Sequence, residues 1–121
     1  MLFDDYVLRQ VQKVAELIAA IGARASGQAY ADVDAELADA YRSLLGMERE
    51  MADRLAPASL ARMLGDPRQV DALARLLTAH GDLCQAREQL GAALRLWERA
   101  LELAEDEALR RALSERIGRV G

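Results

Sequence analysis

Apolar residues recur at three- and four-residue steps along most of this chain, the spacing that places side chains on one face of a helix. The clearest such stretch, Asp66 to Leu103, predicts two antiparallel helices joined by a very tight turn. Asp66 is a good N-cap, and Pro67 suits the first helical position because its missing N–H would have no helical partner there. The predicted inward residues are Val70, Leu73, Ala74, Leu77, Gly81 and Cys84 on the first helix, and Leu90, Ala93, Leu94, Trp97, Ala100, Leu101 and Ala104 on the second.

A long helix from about Asp4 to Arg24 is predicted before this hairpin. Its stripe has the alternating four- and three-residue spacing of a coiled-coil seam and consists of Phe3, Val7, Val11, Val14, Ile18 and Ile21. Leu8, Ala15 and Leu17 widen the stripe on both sides. Because a stripe wider than about 100° implies more than one packing partner, two interpretations stay open. The helix packs within the core, or it also forms a two-fold dimer across Leu8, Ala15 or Leu17.

Turn-forming and helix-capping residues divide the remaining sequence into shorter helices. The predicted segments are a turn at Ser26 to Gln28, helices at about Ala29 to Leu45, Met47 to Leu55 and Ala58 to Leu64, and a last helix at about Asp106 to Arg119. Gly46 and Gly65 are expected to end helices, and Pro57 is expected to stop the helix that begins near Met47. The prediction is an all-α bundle of about six helices in one domain, residues 1–121, with N-terminal helices over 1–65 and a hairpin plus capping helix over 66–121.

Three methionines near the middle of the chain have two possible roles. Met47, Met51 and Met63 are expected to fill gaps in the core, and the other interpretation is an adaptable binding groove.

The hairpin resembles one degenerate tetratricopeptide repeat over residues 74–105. The positions that carry the resemblance are Gly81, Ala93 and Ala100 as the small residues, and Trp97 as the large aromatic between the two alanines. The positions that depart from the repeat pattern are Leu77, His80, Cys84 and Glu105. The resemblance implies closely packed helices with the last helix as a cap, and a protein-binding role. Since such arrays normally need about three repeats, a single repeat must pack on the rest of this chain or on a partner.

The first helix carries a second resemblance. The stretch Met1 to Ile21, which includes Phe-Asp-Asp-Tyr-Val-Leu-Arg-Gln, is similar to the start of a family of small bacterial helical proteins of unknown function. This resemblance implies a bacterial origin and no particular activity.

Charge and composition narrow the classes of partner. The chain has 20 acidic and 16 basic residues, a formal net charge of −4, which argues against a nucleic-acid surface. A basic stripe of Arg87, Arg95 and Arg99 is interrupted by glutamates. One cysteine permits no intramolecular disulfide and favours a reducing compartment. No secretory signal or apolar run of about 20 residues is found, so a soluble cytoplasmic protein is expected.

One set of residues could in principle carry metal chemistry. His80, Cys84 and Glu88 follow one another at four-residue steps, so on a continuous helix all three would share a face. No further histidine or cysteine exists to complete the site, and a packing role is the expected one. The serines lie in no nucleophile motif and the glycines form no phosphate-binding loop. We therefore expect no enzymatic activity, no cofactor and no metal.

Two functions remain. The first is a non-enzymatic protein–protein interaction module, whose partner can be a second copy of the chain. The alternative is a small-ligand or regulatory binding protein with a pocket near Tyr41, Met51, His80 and Cys84. A crevice lined with polar groups would favour the alternative, whereas a bare apolar patch would favour the first.

Overall fold

A computed structural model describes residues 2–24 and 30–120 of the chain. The described residues form seven helices and no strand, so the fold is all-α, and each helix corresponds to one of the segments predicted from the sequence. The helices are α1 Leu2–Arg24, α2 Tyr30–Leu45, α3 Arg49–Asp53, α4 Pro57–Leu64, α5 Pro67–Ala86, α6 Leu90–Leu103 and α7 Glu107–Val120. None of them is both long enough and apolar enough to cross a membrane. The predicted turn at Ser26 to Gln28 lies outside the described residues.

Helix α5 is the central element of the fold. It packs against α1, α2, α4 and α6, while α7 packs against α6. Its buried residues join a hydrophobic cluster that also draws on α1, α2, α4, α6 and α7, with Trp97 and Tyr41 as its largest fully buried side chains. Each fully buried side chain of leucine or valine size contributes about 1.5–3 kcal/mol. The predicted inward face of α5 is confirmed at Leu73 and Leu77, which are 0% and 2% exposed.

The helix boundaries follow local capping chemistry. Asp66 Oδ1 accepts a 2.8 Å hydrogen bond from the Arg68 backbone N–H, which confirms the predicted N-cap of α5. Asp106 Oδ2 accepts from the backbone N–H of Leu109 at 2.9 Å and caps α7 in the same way. Gly46 and Gly65 have φ values of +70° and +76°, the left-handed conformation that glycine adopts after a helix end.

The region between α2 and α5 differs from the prediction. Helix α3 has only five residues, Arg49–Asp53, instead of the predicted Met47 to Leu55. Pro57 does not stop this helix, because it is the first residue of α4, where a missing N–H costs no helical hydrogen bond. The prediction that Met51 and Met63 fill core gaps is also wrong, since they are 59% and 56% exposed.

Two other apolar residues assigned to inward faces lie at the surface. Phe3 is 63% exposed and Leu90 is 49% exposed. The position of Phe3 follows from the length of α2: Gln10 Nε2 donates to the Ser43 carbonyl at 2.6 Å, so Gln10 already lies opposite the last turn of α2. Phe3, two turns earlier, extends beyond that end. Leu90 is the first residue of α6 and lies at the exposed end of the hairpin.

Candidate functional site

A crevice of about 420 Å³ lies between α3, the second half of α5 and α6. Its volume is within the range of small-molecule sites. The residues that line it, which together we call the arginine crevice, are Arg49, Asp53, His80, Cys84, Gln89, Ala92, Arg95, Leu96 and Arg99.

Each element supplies crevice residues through its own periodicity. Arg49 and Asp53 are the first and last residues of α3, four positions apart. His80 and Cys84 are separated by one turn of α5 in the same way. The α6 contribution repeats at three- and four-residue steps and consists of Ala92, Arg95, Leu96 and Arg99. Because residues at this spacing share one helix face, three short helical faces converge on one space.

Arg99 joins α6 to the end of α3. Its Nη2 donates to the carbonyl oxygens of Ala52 at 3.2 Å and Leu55 at 2.8 Å. Ala52 is in the last turn of α3 and Leu55 follows that helix, so Arg99 lies at the helix C-terminus, where the helix dipole favours a cation. The contact fixes the guanidinium of Arg99 at the wall of the crevice.

The guanidinium groups of Arg49 and Arg95 have few hydrogen-bond or ion-pair partners within the described chain. Arg49 Nε is buried and has no hydrogen-bond partner among the described residues, and the same holds for Arg99 Nε. The ion pair of Arg49 within the described chain joins its Nη2 to the neighbouring Glu50 at 3.5 Å, at an exposed position. Arg95 forms no hydrogen bond or ion pair with residues 2–24 or 30–120. Asp53 is the one carboxylate among the lining residues.

His80 forms the neutral floor of the crevice together with Tyr41. Tyr41 Oη and His80 Nδ1 are 2.8 Å apart, sharing a hydrogen bond whose direction depends on the imidazole tautomer, and the two rings meet edge to face at 5.7 Å. Burial, reinforced by the charges of Arg49 and Arg87, lowers the pKa of His80 to about 4. Burial, followed by the negative charge of Asp53, raises the pKa of the Tyr41 hydroxyl. At neutral pH both groups are uncharged.

Cys84 is the second neutral group of the floor. Its side chain is free and buried, and burial raises the pKa of the thiol. The positive charge of Arg87 and Arg49 opposes that effect without reversing it. A protonated thiol is a weak nucleophile.

The pocket expected from the sequence is partly present. His80 and Cys84 line the crevice, and Tyr41 lies behind His80 with 1% of its surface exposed. Met51 is exposed and is not among the lining residues. Glu88 does not share a face with His80 and Cys84, because α5 ends at Ala86 and Glu88 lies in the following turn with φ of +61°. Within the described chain, no three histidine, cysteine or carboxylate side chains are grouped as metal ligands.

The sequence reasoning missed the arginines as a group. Arg95 and Arg99 are one turn apart on α6, a signal visible in the sequence, but the glutamates near them argue only against a nucleic-acid surface and leave a compact basic site open. On the folded helix, Glu98 and Glu102 do not line the crevice. No sequence pattern near Arg49 indicates a role in this site, because Arg49 lies near α6 only through the position of α3 in the fold.

The predicted repeat positions are buried in the hairpin, and none of them lines the crevice. A Cβ atom placed on Gly81 would be 2.5 Å from Trp97 Nε1 and 2.6 Å from Cδ1, so only glycine fits this approach of α5 to α6. Trp97 Nε1 donates to Asp82 Oδ1 at 3.1 Å. Ala93 and Ala100 are fully buried, and Leu77 is 2% exposed within the same cluster.

The predicted self-association residues are divided by the fold. Leu8 is 52% exposed and Ala15, seven residues later on the same flank of α1, is also exposed. Leu17 is half-buried and packs against the hydrophobic cluster. Of the three predicted self-association residues, only Leu8 and Ala15 therefore lie on the exposed flank of α1.

Comparison with known proteins gives no relative: no family model, curated protein or solved structure matches the chain. The two resemblances noted in the sequence stay predictions. The geometry of the crevice is the basis for a functional proposal.

Proposed function

We propose that the protein is a non-enzymatic binding protein that holds a small ligand in the arginine crevice. The observation that carries this proposal is the concave, polar lining, in which three arginines face one carboxylate. Such a crevice is the feature that favours ligand binding over a bare interaction patch. The single cysteine supports a reducing compartment such as the cytoplasm.

The two groups most capable of catalysis support binding and not turnover. An efficient general base has a pKa near the working pH, whereas burial lowers the pKa of His80 to about 4. Its Nδ1 is also engaged by Tyr41. Burial raises the pKa of Cys84, which keeps the thiol protonated.

A variant that fills the crevice tests the proposal. Gln89 is exposed, its side chain does not cap α6, and it lines the crevice, so Gln89→Trp should block the space without disturbing the core. Glu115→Trp, at an exposed position of α7 outside the crevice, is the matched control. A small-molecule fragment library screened by protein NMR should contain compounds that shift the signals of Ala92 and Leu96 in the wild type and in Glu115→Trp, and not in Gln89→Trp. If the same fragments bind all three proteins equally, the crevice is not the binding site.

A protein-interaction role is the second candidate function, and the exposed flank of α1 favours it. Leu8 and Ala15 place apolar surface on that flank, where a second copy of the chain could pack. If so, light scattering at micromolar concentration should give twice the 13.3 kDa chain mass. Leu8→Glu with Ala15→Glu should then return the monomer without unfolding, because neither side chain is buried. A wild-type mass of one chain, unchanged on dilution, would exclude the dimer.

A further inference from the structure

We propose that the ligand of the arginine crevice is a small molecule carrying a phosphate monoester, bound through Arg49, Arg95 and Arg99. This inference rests on the proposed function and specifies the chemical class of its ligand. Three independent features of the crevice support it: its charge, its unpaired donors and its shape.

The charge of the lining matches that of a phosphate monoester. Three guanidinium groups and the carboxylate of Asp53 leave a formal charge of +2 on the lining (3 − 1), with His80 neutral. A phosphate monoester carries about −1.5 to −2 at pH 7, so one such group neutralises the crevice. A single carboxylate would leave half of the charge uncompensated.

The charge outside the crevice argues for a small molecule and against a polyanion. The whole chain has a net charge of −4, so the residues outside the crevice carry −6 (−4 − 2). A nucleic acid needs basic side chains along several successive phosphates. Outside the crevice, 19 acidic residues outnumber 13 basic residues (20 − 1 and 16 − 3), so the surroundings favour one anionic group in the crevice over an extended chain of them.

The donors of the crevice are available for phosphate oxygens. Arg95 is exposed and forms no hydrogen bond or ion pair with the described residues, so its guanidinium donors can reach a ligand. The ion pair from Arg49 Nη2 to Glu50 is long, at 3.5 Å, and exposed to solvent. The planar guanidinium presents paired donors that match phosphate oxygens. Arg99 is already oriented, because its Nη2 is held by Ala52 and Leu55.

The rest of the crevice can accommodate an organic group. Ala92 and Leu96 provide apolar surface on α6 beside the two arginines of that helix. Gln89 adds an amide at the start of α6, which can donate to or accept from the ligand. A volume of about 420 Å³ exceeds what a phosphate group alone would fill, so the ester substituent has space.

Four aromatic probes of similar size test the class of ligand. Protein NMR titrations would use phenyl phosphate, benzoate, benzyl alcohol and benzylamine at constant ionic strength, with inorganic phosphate in a parallel series. We expect phenyl phosphate to shift the signals of the crevice residues saturably, with at least tenfold higher affinity than benzoate. The neutral and cationic probes should bind more weakly still. Inorganic phosphate should bind the same residues more weakly than phenyl phosphate, because it lacks the group that contacts Leu96.

Charge-matched variants separate a built site from general electrostatic attraction. Arg95→Gln should weaken phenyl phosphate binding at least tenfold, and Arg49→Gln should do the same. Arg111→Gln removes the same charge from an exposed position of α7 outside the crevice and should leave the affinity within twofold. Since Arg95 is exposed and has no partner in the described chain, its variant should fold normally even if Arg49→Gln does not.

The outcomes distinguish the ligand class from the proposed function. Equal phenyl phosphate affinity in wild type and Arg95→Gln would overturn the phosphate proposal. If benzyl alcohol or benzylamine binds the crevice better than phenyl phosphate, and Gln89→Trp abolishes that binding, the ligand class is wrong while the proposed function stands. If no probe shifts a crevice signal at millimolar concentration, the phosphate proposal is wrong, and the fragment screen with Gln89→Trp decides the proposed function.

Discussion

The two sides of the α5–α6 hairpin differ in how their arginines are paired. On the side that faces α7, Arg116 Nε donates to Asp82 Oδ1 at 2.8 Å, Nη2 donates to Oδ2 at 3.2 Å, and Asp82 also accepts from Trp97. On the side that faces α3, Arg49 and Arg95 have no comparable carboxylate partner among the described residues.

Several arginines elsewhere in the described chain are paired with carboxylates. Arg68 bonds Asp66 at 2.8 Å, Arg75 bonds Asp71 at 2.9 Å and Arg87 bonds Asp34 at 2.9 Å. Arg95 and Arg99 differ from these arginines, because neither has a carboxylate partner within the described chain of this acidic protein. The paired side serves stability, whereas unpaired charge is consistent with a site that completes its hydrogen bonds with a ligand.

The largest effect should come from removing the aromatic residue on the paired side. Trp97→Ala should lower the free energy of unfolding by about 3–5 kcal/mol, because Trp97 is fully buried and its loss leaves a cavity. Urea denaturation monitored by circular dichroism measures the change. A loss below about 1 kcal/mol would mean that α5 and α6 are not held together by this side chain.

Acidification should lower the free energy of unfolding through His80, which lies on the crevice side. The pKa of His80 is about 4 in the folded protein and about 6.5 when unfolded. Between these values the unfolded state binds more protons, so stability falls as pH decreases from 6.5 towards 4, by up to about 3 kcal/mol. Urea unfolding at several pH values should show this slope, and His80→Gln should reduce it. A slope that is the same in His80→Gln would place its origin in other groups.

A pair of glycine substitutions tests the close approach on the paired side. Gly81→Ala should destabilise the protein by about 1–3 kcal/mol, because the new methyl group meets the Trp97 ring. Gly118→Ala on α7 has open space around its Cβ and should stabilise by about 0.5–1 kcal/mol, since alanine favours helix more than glycine does. Thermal unfolding of both variants provides the comparison. If both substitutions stabilise, the predicted repeat register at residues 74–105 is wrong.

The smallest expected changes in stability come from replacing Arg116, which is paired with Asp82, and Arg95, which has no such partner in the described chain. Arg116→Gln should cost about 1 kcal/mol, because its bonds to Asp82 are only partly shielded from solvent. Arg95→Gln should change the free energy of unfolding by less than about 0.5 kcal/mol, since it breaks no contact with a described residue. Urea denaturation should therefore show a larger loss of stability for Arg116→Gln than for Arg95→Gln. Equal losses would show that Arg95 has a structural partner and would remove the basis of the comparison.

The sequence by itself determined the elements and much of the core. Asp66 caps α5, Gly46 and Gly65 follow helix ends, and Trp97 is buried on α6, all as predicted. These features depend on contacts within one or two helical turns or on the 3.6-residue period. Both are local, so the order of residues encodes them directly.

Only the tertiary structure decided the composition of the candidate site. Arg49 meets Arg95 and Arg99 because the short α3 is held against α6, partly by the bonds of Arg99 to Ala52 and Leu55. The same arrangement leaves Met51 outside, although its spacing suggested an inward position. No local pattern encodes the position of a five-residue helix, since it depends on packing against residues distant in sequence. The periodicity of α6 could show that Arg95 and Arg99 share a face, but the fold alone determines that this face is opposite Arg49.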